Sequence, residues 1–217
     1  MKKKDVVYYK RGETKKIKRL GIMGGTFDPI HKGHIALAKA AKREFILDGI
    51  VFMPSGNPPH KDISKVTDKE DRYQMVQITI KKYKSFFLSR LEMDRQGVCY
   101  AVDTFNELKR KYGSNTKLFY IMGMDSILEI LDWKKPLELF TLCEFIVGTR
   151  QGAKIRTFKR LLKFPPLQKE IDKIHLMELK EDISSSNIRS KLKTGKSVAR
   201  LVPRNVLKYI REKELYN

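Results

Sequence analysis

The sequence predicts a doubly wound α/β fold, with a mostly parallel sheet (Rossmann-like) covered by helices on both faces, on three observations. Short apolar runs alternate with amphipathic segments along most of the 217 residues, and such alternation needs crossover connections, which build parallel sheets buried on both sides. The first apolar run ends in Gly24-Gly25 directly before a helical segment, the place where doubly wound sheets receive anionic ligands. The length suits one large core, while no run reaches the roughly eighteen apolar residues of a membrane span.

Residues 17–27, IKRLGIMGGTF, read as a buried strand entering a glycine turn, and residues 34–46 as a helix with Ile35, Ala38, Ala41 and Phe45 on one face. IVFMP at 50–54 is a second strand; Thr67 and Glu70 form a capping-box pattern ahead of a helix over 68–83, and SFFLSRLEM at 85–93 reads as a third strand. A helix over 101–112 aligns Val102, Phe105, Leu108 and Tyr112, followed by strands at 117–123, 144–149 and 173–179. Residues 151–172 are basic, are broken by Pro165 and Pro166, and read as an excursion over the surface. Residues 1–16 are a basic extension, loosely ordered or an expression remnant, ahead of a single domain spanning 17–217.

Lys and Arg outnumber Asp and Glu by 46 to 25, a net charge of +21. Such a surface attracts polyanions, but the lysines are spread along the chain without an aromatic-interleaved patch, so specific nucleic-acid binding is not expected. The N-terminus lacks the apolar stretch of a secretory signal. Cys99 and Cys143 stand outside any CxxC or Cys/His cluster, which fits reduced thiols in the cytoplasm and no zinc site. Oligomeric state is not legible.

Two of the four histidines, His31 and His34, lie three apart at the mouth of the first helix, behind the glycine turn. Residues so spaced project to one side of a helix, and glycines let a phosphate approach the backbone, so two imidazoles can face one phosphate. They stabilise shifting negative charge without acting as nucleophiles. A turn with two surface histidines, or half of a metal site completed by His60, would use the same residues; Asp28-Pro29 and the glycine turn favour phosphate over metal. The run SKLKTGKS at 190–197 ends like a P-loop, but Ser190 stands where the first glycine belongs, so it reads as a turn. In EDISSSNIRSKL, hydroxyls at a helix start plus Arg189 one turn in can hold a polyphosphate.

These residues resemble the nucleotidyltransferase superfamily marked by an HxGH loop, here His31-Lys32-Gly33-His34, and an ISSTxIR helix start, here Ile183 to Arg189 with Ser186 in the threonine slot. Within it the chain is similar to the bacterial nicotinate-nucleotide adenylyltransferases over nearly all of 17–215: GGTFDPIHxGH is complete from Gly24 to His34, and MPSGNPPHK at 53–61, GMD at 123–125, Trp133 and GTR ending at Arg150 follow in order. The resemblance implies adenylyl transfer from ATP, with magnesium (Mg2+) on the nucleotide, to nicotinate mononucleotide in NAD biosynthesis.

It also implies roles. His31, His34 and Arg189 are catalytic; Gly24, Gly25, Thr26, Phe27, Gly33, Ser184, Ser185, Ser186 and Ile188 bind ATP. His60, Lys61, Tyr100, Ala101, Thr104, Gly123, Asp125, Trp133, Lys134 and Arg150 serve the acceptor, with Trp133 stacked on the pyridine ring. The protein itself contributes no resident metal site.

The family's SYTxDT is CYAVDT here, so Cys99 replaces serine and Ala101 a threonine that resembles a contact to the nicotinate carboxylate. Lys134, at a position often aromatic in relatives, is a candidate electrostatic substitute. Three other readings compete: phosphopantetheine adenylyltransferase, which shares both phosphate motifs; a basic nucleic-acid-binding module; and an inactive scaffold.

Overall fold

The computed structural model describes residues 17–59, 62–150, 159, 163–179 and 183–216. Six strands run parallel: β1 (Arg19–Gly25), β2 (Gly49–Pro54), β3 (Phe86–Leu88), β4 (Lys117–Gly123), β5 (Glu144–Arg150) and β6 (Ile174–Leu179), in the order β3-β2-β1-β4-β5-β6. The order reverses between β1 and β4, and doubly wound sheets bind ligands in the crevice at the carboxyl ends of such a pair.

Each central strand sends alternate residues to opposite faces, because side chains in a strand repeat every two residues. On one face Met23, Phe52, Phe119, Ile121 and Ile146 pack under helices α1 (Lys32–Glu44), α2 (Lys69–Ile80), α7 (Ser185–Lys193) and α8 (Arg204–Glu212). On the other, Leu20, Ile22, Val51, Leu118, Phe145 and Val147 pack under α3 (Ala101–Tyr112), α4 (Met124–Leu128) and α5 (Pro136–Leu142). Burying each such side chain is worth about 1.5–3 kcal/mol, so the two cores hold the sheet rigid beneath the crevice.

The predicted helix at 101–112 and strand at 117–123 are found at those residues. Helix α1 begins earlier than the apolar periodicity indicates, because His31 and His34 make its cap. The cap of α2 is Asp68, whose carboxylate accepts the Glu70 N–H at 2.8 Å, not Thr67. Thr67 is engaged through its backbone instead: its N–H donates to Asp28 and its carbonyl accepts from Arg72. The strand expected over 85–93 stops at Leu88; β3 is an edge strand paired only with β2, and beyond it Arg90 turns toward Glu70 and Asp94. Within the basic stretch 151–172, residues 163–172 carry a short helix, α6 (Pro165–Gln168), and no strand; 151–158 and 160–162, like the extension 1–16, lie outside the described residues.

Candidate functional site

β1 hands the chain to α1 through Thr26, Phe27, Asp28, Pro29 and Ile30. Gly24 is required: a Cβ there would fall 2.8 Å from Tyr120 Oη, closer than real Cβ contacts allow. Phe27 adopts φ 51°, left-handed backbone that costs a non-glycine residue about 1–3 kcal/mol. Burial of its ring, which meets His34 edge-on at 5.0 Å, is of a size to offset that cost.

The two histidines cap their own helix reciprocally. His31 Nδ1 accepts the His34 N–H at 3.4 Å, His34 Nδ1 accepts the His31 N–H at 3.2 Å, and the rings stack with centroids 3.7 Å apart. A backbone N–H can only donate, so both Nδ1 atoms carry lone pairs and the hydrogen of each ring sits on Nε2. Burial pushes the His31 pKa from 6.5 down to about 4, which keeps that ring neutral at physiological pH. The first turn of α1 holds no acidic residue, so its positive dipole end is available to an anion.

Helix α7 brings its N-terminus to the same loop. Ser184 caps it by accepting the Asn187 N–H at 3.3 Å, and Ser186 Oγ lies 3.2 Å from Ser184 Oγ. Ser185 Oγ donates to Pro29 O at 2.9 Å, Arg189 Nη1 donates to Asp28 O at 2.6 Å, and fully buried Ile188 anchors the helix in the core. Gly33 permits this approach: a Cβ on it would sit 3.0 Å from His31 Nδ1 and 3.4 Å from Ile183 Cβ. His31, His34, Gly24 to Phe27, Gly33, Ser184 to Ser186, Ile188 and Arg189 thus belong to one construction, although 156 residues separate Pro29 from Ser185.

The residues expected on the acceptor side are spread over the start of α3, the end of β4 with α4, the turn at Trp133 and Lys134, and the end of β5. Gly123 ends β4 at the strand-order reversal and caps α4, which places Asp125 in that helix's first turn. Tyr100 and Ala101 open α3. Lys134 Nζ sits 4.5 Å from the Tyr100 ring centroid and 3.0 Å from the Asp103 carboxylate. Thr104 is buried, and its hydroxyl donates to Glu92 Oε1 at 2.9 Å while accepting from Arg95 Nη1 at 2.8 Å, so that hydroxyl is committed within the protein. Trp133 lies 6.1 Å from Tyr120 between ring centroids, and its Nε1 is buried with no hydrogen-bond partner. His60 and Lys61 lie outside the described residues, as does the side chain of Arg150, which ends β5 opposite Leu179.

Sequence reasoning passed over several residues here. Ser55 Oγ, just past β2, is buried without a partner, and the Ser55 N–H donates to Gly25 O at 2.9 Å. Glu92 is raised to a pKa of about 7 by burial, against the opposing pull of Thr104 and Arg95. Arg72, 2% exposed, reaches Thr26 O at 2.7 Å. No local pattern marks an arginine inside a helix or a carboxylate after a strand as part of a site. Among the described residues no group of three or more His, Cys, Asp or Glu is placed to hold a metal ion.

Fold and loop together define the class: a Rossmann-like nucleotidyltransferase fold with two helix N-termini meeting at the end of β1. Residues 22–191 match the cytidylyltransferase-like family. A protein of Thermoanaerobacter sp. (strain X514), named probable nicotinate-nucleotide adenylyltransferase, is 44% identical over 200 residues, covering 91% of this chain and 94% of its own. One of the same name from Moorella thermoacetica is 45% identical over 199 residues, with 91% of each chain covered. The solved Plasmodium falciparum nicotinic acid mononucleotide adenylyltransferase complexed with NaAD has the same fold, with a TM-score of 0.74 at 24% identity over 92% of this chain and 97% of that one. The chain belongs to the cytidylyltransferase-like family and, within it, groups with the nicotinate-nucleotide adenylyltransferases.

Proposed function

We infer that this protein transfers the adenylyl group of ATP to nicotinate mononucleotide, giving nicotinate adenine dinucleotide and pyrophosphate in NAD biosynthesis. The reciprocal His31–His34 cap carries the reading from geometry, because it fixes a ring hydrogen on each Nε2 beside a helix N-terminus. The names of the relatives at 44% and 45% identity support the choice of substrates.

A phosphate oxygen of the mononucleotide attacks the α-phosphorus of ATP, and the bond from that phosphorus to the bridging oxygen of the β-phosphate breaks. Both electrons leave with pyrophosphate, and no covalent intermediate with the protein is needed. The protein's work is positioning and charge stabilisation. His31 and His34 donate from Nε2 to the phosphate oxygens as charge builds on them, and fixed donors of this kind are among the largest catalytic terms. Gly24 to Phe27 and Gly33 let the nucleotide approach the backbone, while Ser184 to Ser186, Ile188 and Arg189 cradle the β- and γ-phosphates and the adenine. On the acceptor side Asp125 takes the ribose, Trp133 stacks on the pyridine ring, and His60, Lys61, Tyr100, Ala101, Gly123, Lys134 and Arg150 form the surrounding wall; Thr104, expected there from the sequence, is buried with its hydroxyl committed to Glu92 and Arg95 and supports that wall from behind.

Magnesium would neutralise phosphate charge when it arrives bound to ATP. The donor set suits a metal carried by the nucleotide: Asp28, the carboxylate of the loop, already has partners in Tyr216 and Thr67, and magnesium characteristically binds through phosphates and water. No helix among the described residues is long and apolar enough to cross a membrane, and Cys99 and Cys143 are free thiols; we place the reaction in the cytoplasm, with ATP and the mononucleotide as its partners.

Pyrophosphate release tests the reading, with magnesium and ATP plus nicotinate mononucleotide, nicotinamide mononucleotide or phosphopantetheine. Turnover of the nicotinate acceptor that disappears in His34→Ala is the expected outcome. Turnover only with phosphopantetheine, or with none of the three, would refute it.

A further inference from the structure

We propose that Asp28, held in place by Tyr216, is a positioning residue that aims Arg189 at the phosphates of the nucleotide. The proposal rests on the phosphate-site reading above.

Asp28 is only 3% exposed, and a buried carboxylate is costly unless its oxygens are satisfied. Here they are met from separate parts of the chain. Tyr216 Oη donates to Oδ1 at 2.7 Å, across 188 residues of sequence, and the Thr67 N–H donates to Oδ2 at 3.4 Å. Arg189 Nη1 stands 3.8 Å from Oδ2 while donating to the carbonyl of the same residue at 2.6 Å. Arg72 adds positive charge nearby and fixes the flanking carbonyls of Thr26 and Thr67 at 2.7 and 2.9 Å.

The consequence falls on Arg189. A guanidinium is a rigid planar fork, so fixing one of its nitrogens orients the others. Asp28 fixes Nη1 through its carbonyl and draws the same atom with its carboxylate, while the Arg189 side chain keeps 32% exposure, enough to meet a ligand. The carbonyl holds Nη1 by a hydrogen bond, and the carboxylate adds a directional pull only while it cannot turn; the Tyr216 hydroxyl opposes that rotation. Burial and the neighbouring Asp28 charge push the Tyr216 pKa well above its ordinary value, so its hydroxyl remains a donor at any physiological pH. Tyr216 thus acts on the reaction through two other residues, without touching substrate.

Tyr216→Phe removes the hydroxyl and keeps the ring against the core. In the full chain we expect a melting temperature within a few degrees of the parent, a Kd for magnesium ATP raised about tenfold, a kcat lowered about tenfold and a KM for nicotinate mononucleotide changed less than twofold. Because the effect runs through Arg189, adding Tyr216→Phe to Arg189→Lys should cost little more than Arg189→Lys alone; groups acting in series are non-additive. Asp28→Asn, which keeps size and removes charge, should weaken ATP binding at least as much. Unchanged ATP binding and kcat in Tyr216→Phe, or a full independent loss in the Arg189→Lys background, would overturn the proposal, as would a parent chain that binds no ATP. ATP binding needs no acceptor, so a chain that binds ATP in a Tyr216-dependent way yet turns over no acceptor would sink the substrate reading and leave this inference standing.

Discussion

Two regions of the crevice, the β1–α1 loop and the ends of β2 and β4, differ in how complete their hydrogen bonding is. Around the β1–α1 loop, the carbonyls of Thr26, Asp28 and Pro29 are each held by a side chain from a distant helix, and His31 and His34 satisfy each other's backbone. Nearer β2 and β4, Trp133 Nε1 and Ser55 Oγ are buried without partners, and Glu92 is buried at the cost of a raised pKa. An unpartnered buried polar group costs about 1–3 kcal/mol, so this region carries a stability cost that the β1–α1 loop does not. The β1–α1 loop is thus fully satisfied within the protein, whereas the region near β2 and β4 keeps polar groups that the protein leaves unmatched.

The largest effect that could break this contrast is loss of a histidine. His31→Ala or His34→Ala should lower kcat by about 100- to 1,000-fold, the usual consequence of removing one preorganised donor, as read by steady-state pyrophosphate release. A fall confined to KM would mean that the rings bind the ground state only.

The two sides should also respond to pH with opposite sign. Between its folded pKa of about 4 and its unfolded value of 6.5, His31 is protonated only when unfolded, so its contribution is complete above that window and lost as pH falls through it. Between an unfolded value of 4.5 and a folded pKa of about 7, Glu92 is protonated only when folded, so its contribution is lost as pH rises. Each shift corresponds to an upper bound of about 3 kcal/mol by linkage. Denaturant unfolding of Glu92→Gln should show a stability advantage over the parent that grows as pH rises through this window; an advantage that shrinks would contradict the assignment.

A smaller effect sharpens the acceptor side. Trp133→Phe keeps an aromatic ring but reduces its stacking area; the KM for nicotinate mononucleotide should rise about three- to tenfold with the KM for ATP unchanged, in line with the ~1 kcal/mol worth of an aromatic contact. Smallest is Lys134→Ala. Its partner Asp103 and the Tyr100 ring hold it at the surface, and exposed pairs contribute about 0–1 kcal/mol, so the preference for the acid over the amide acceptor should shift less than about fivefold in kcat/KM.

Legibility in the sequence follows the same physics. Central parallel strands are buried on both faces and read as continuous apolar runs, which is why β1, β2, β4 and β5 stand out; the edge strand β6 is legible from the apolar residues in IHLMEL, whereas the edge strand β3 reads as longer than it is, because nothing in FFLSRLEM shows that Arg90 leaves the ladder for Glu70. The histidine pair was visible as a motif, but its role as a helix cap was not, because histidine is not among the common capping residues. The partners of Asp28 were invisible for a different reason: a tyrosine 188 positions away leaves no periodicity or spacing to read, and only the packing of α8 and the turn after it against α2 and the loop brings it into reach.

The claim on which the rest depends is that the phosphate side is set before substrate arrives. The direct measurement is the ring nitrogen chemical shifts of His31 and His34 in the ligand-free protein, followed by 15N NMR as pH is varied. We expect both rings to carry hydrogen on Nε2 with Nδ1 unprotonated at neutral pH, and His31 to remain neutral until the pH falls toward 4. Rings that carry hydrogen on Nδ1, or a His31 that titrates at the ordinary 6.5, would show that the cap does not hold the histidines ready and would contradict the account.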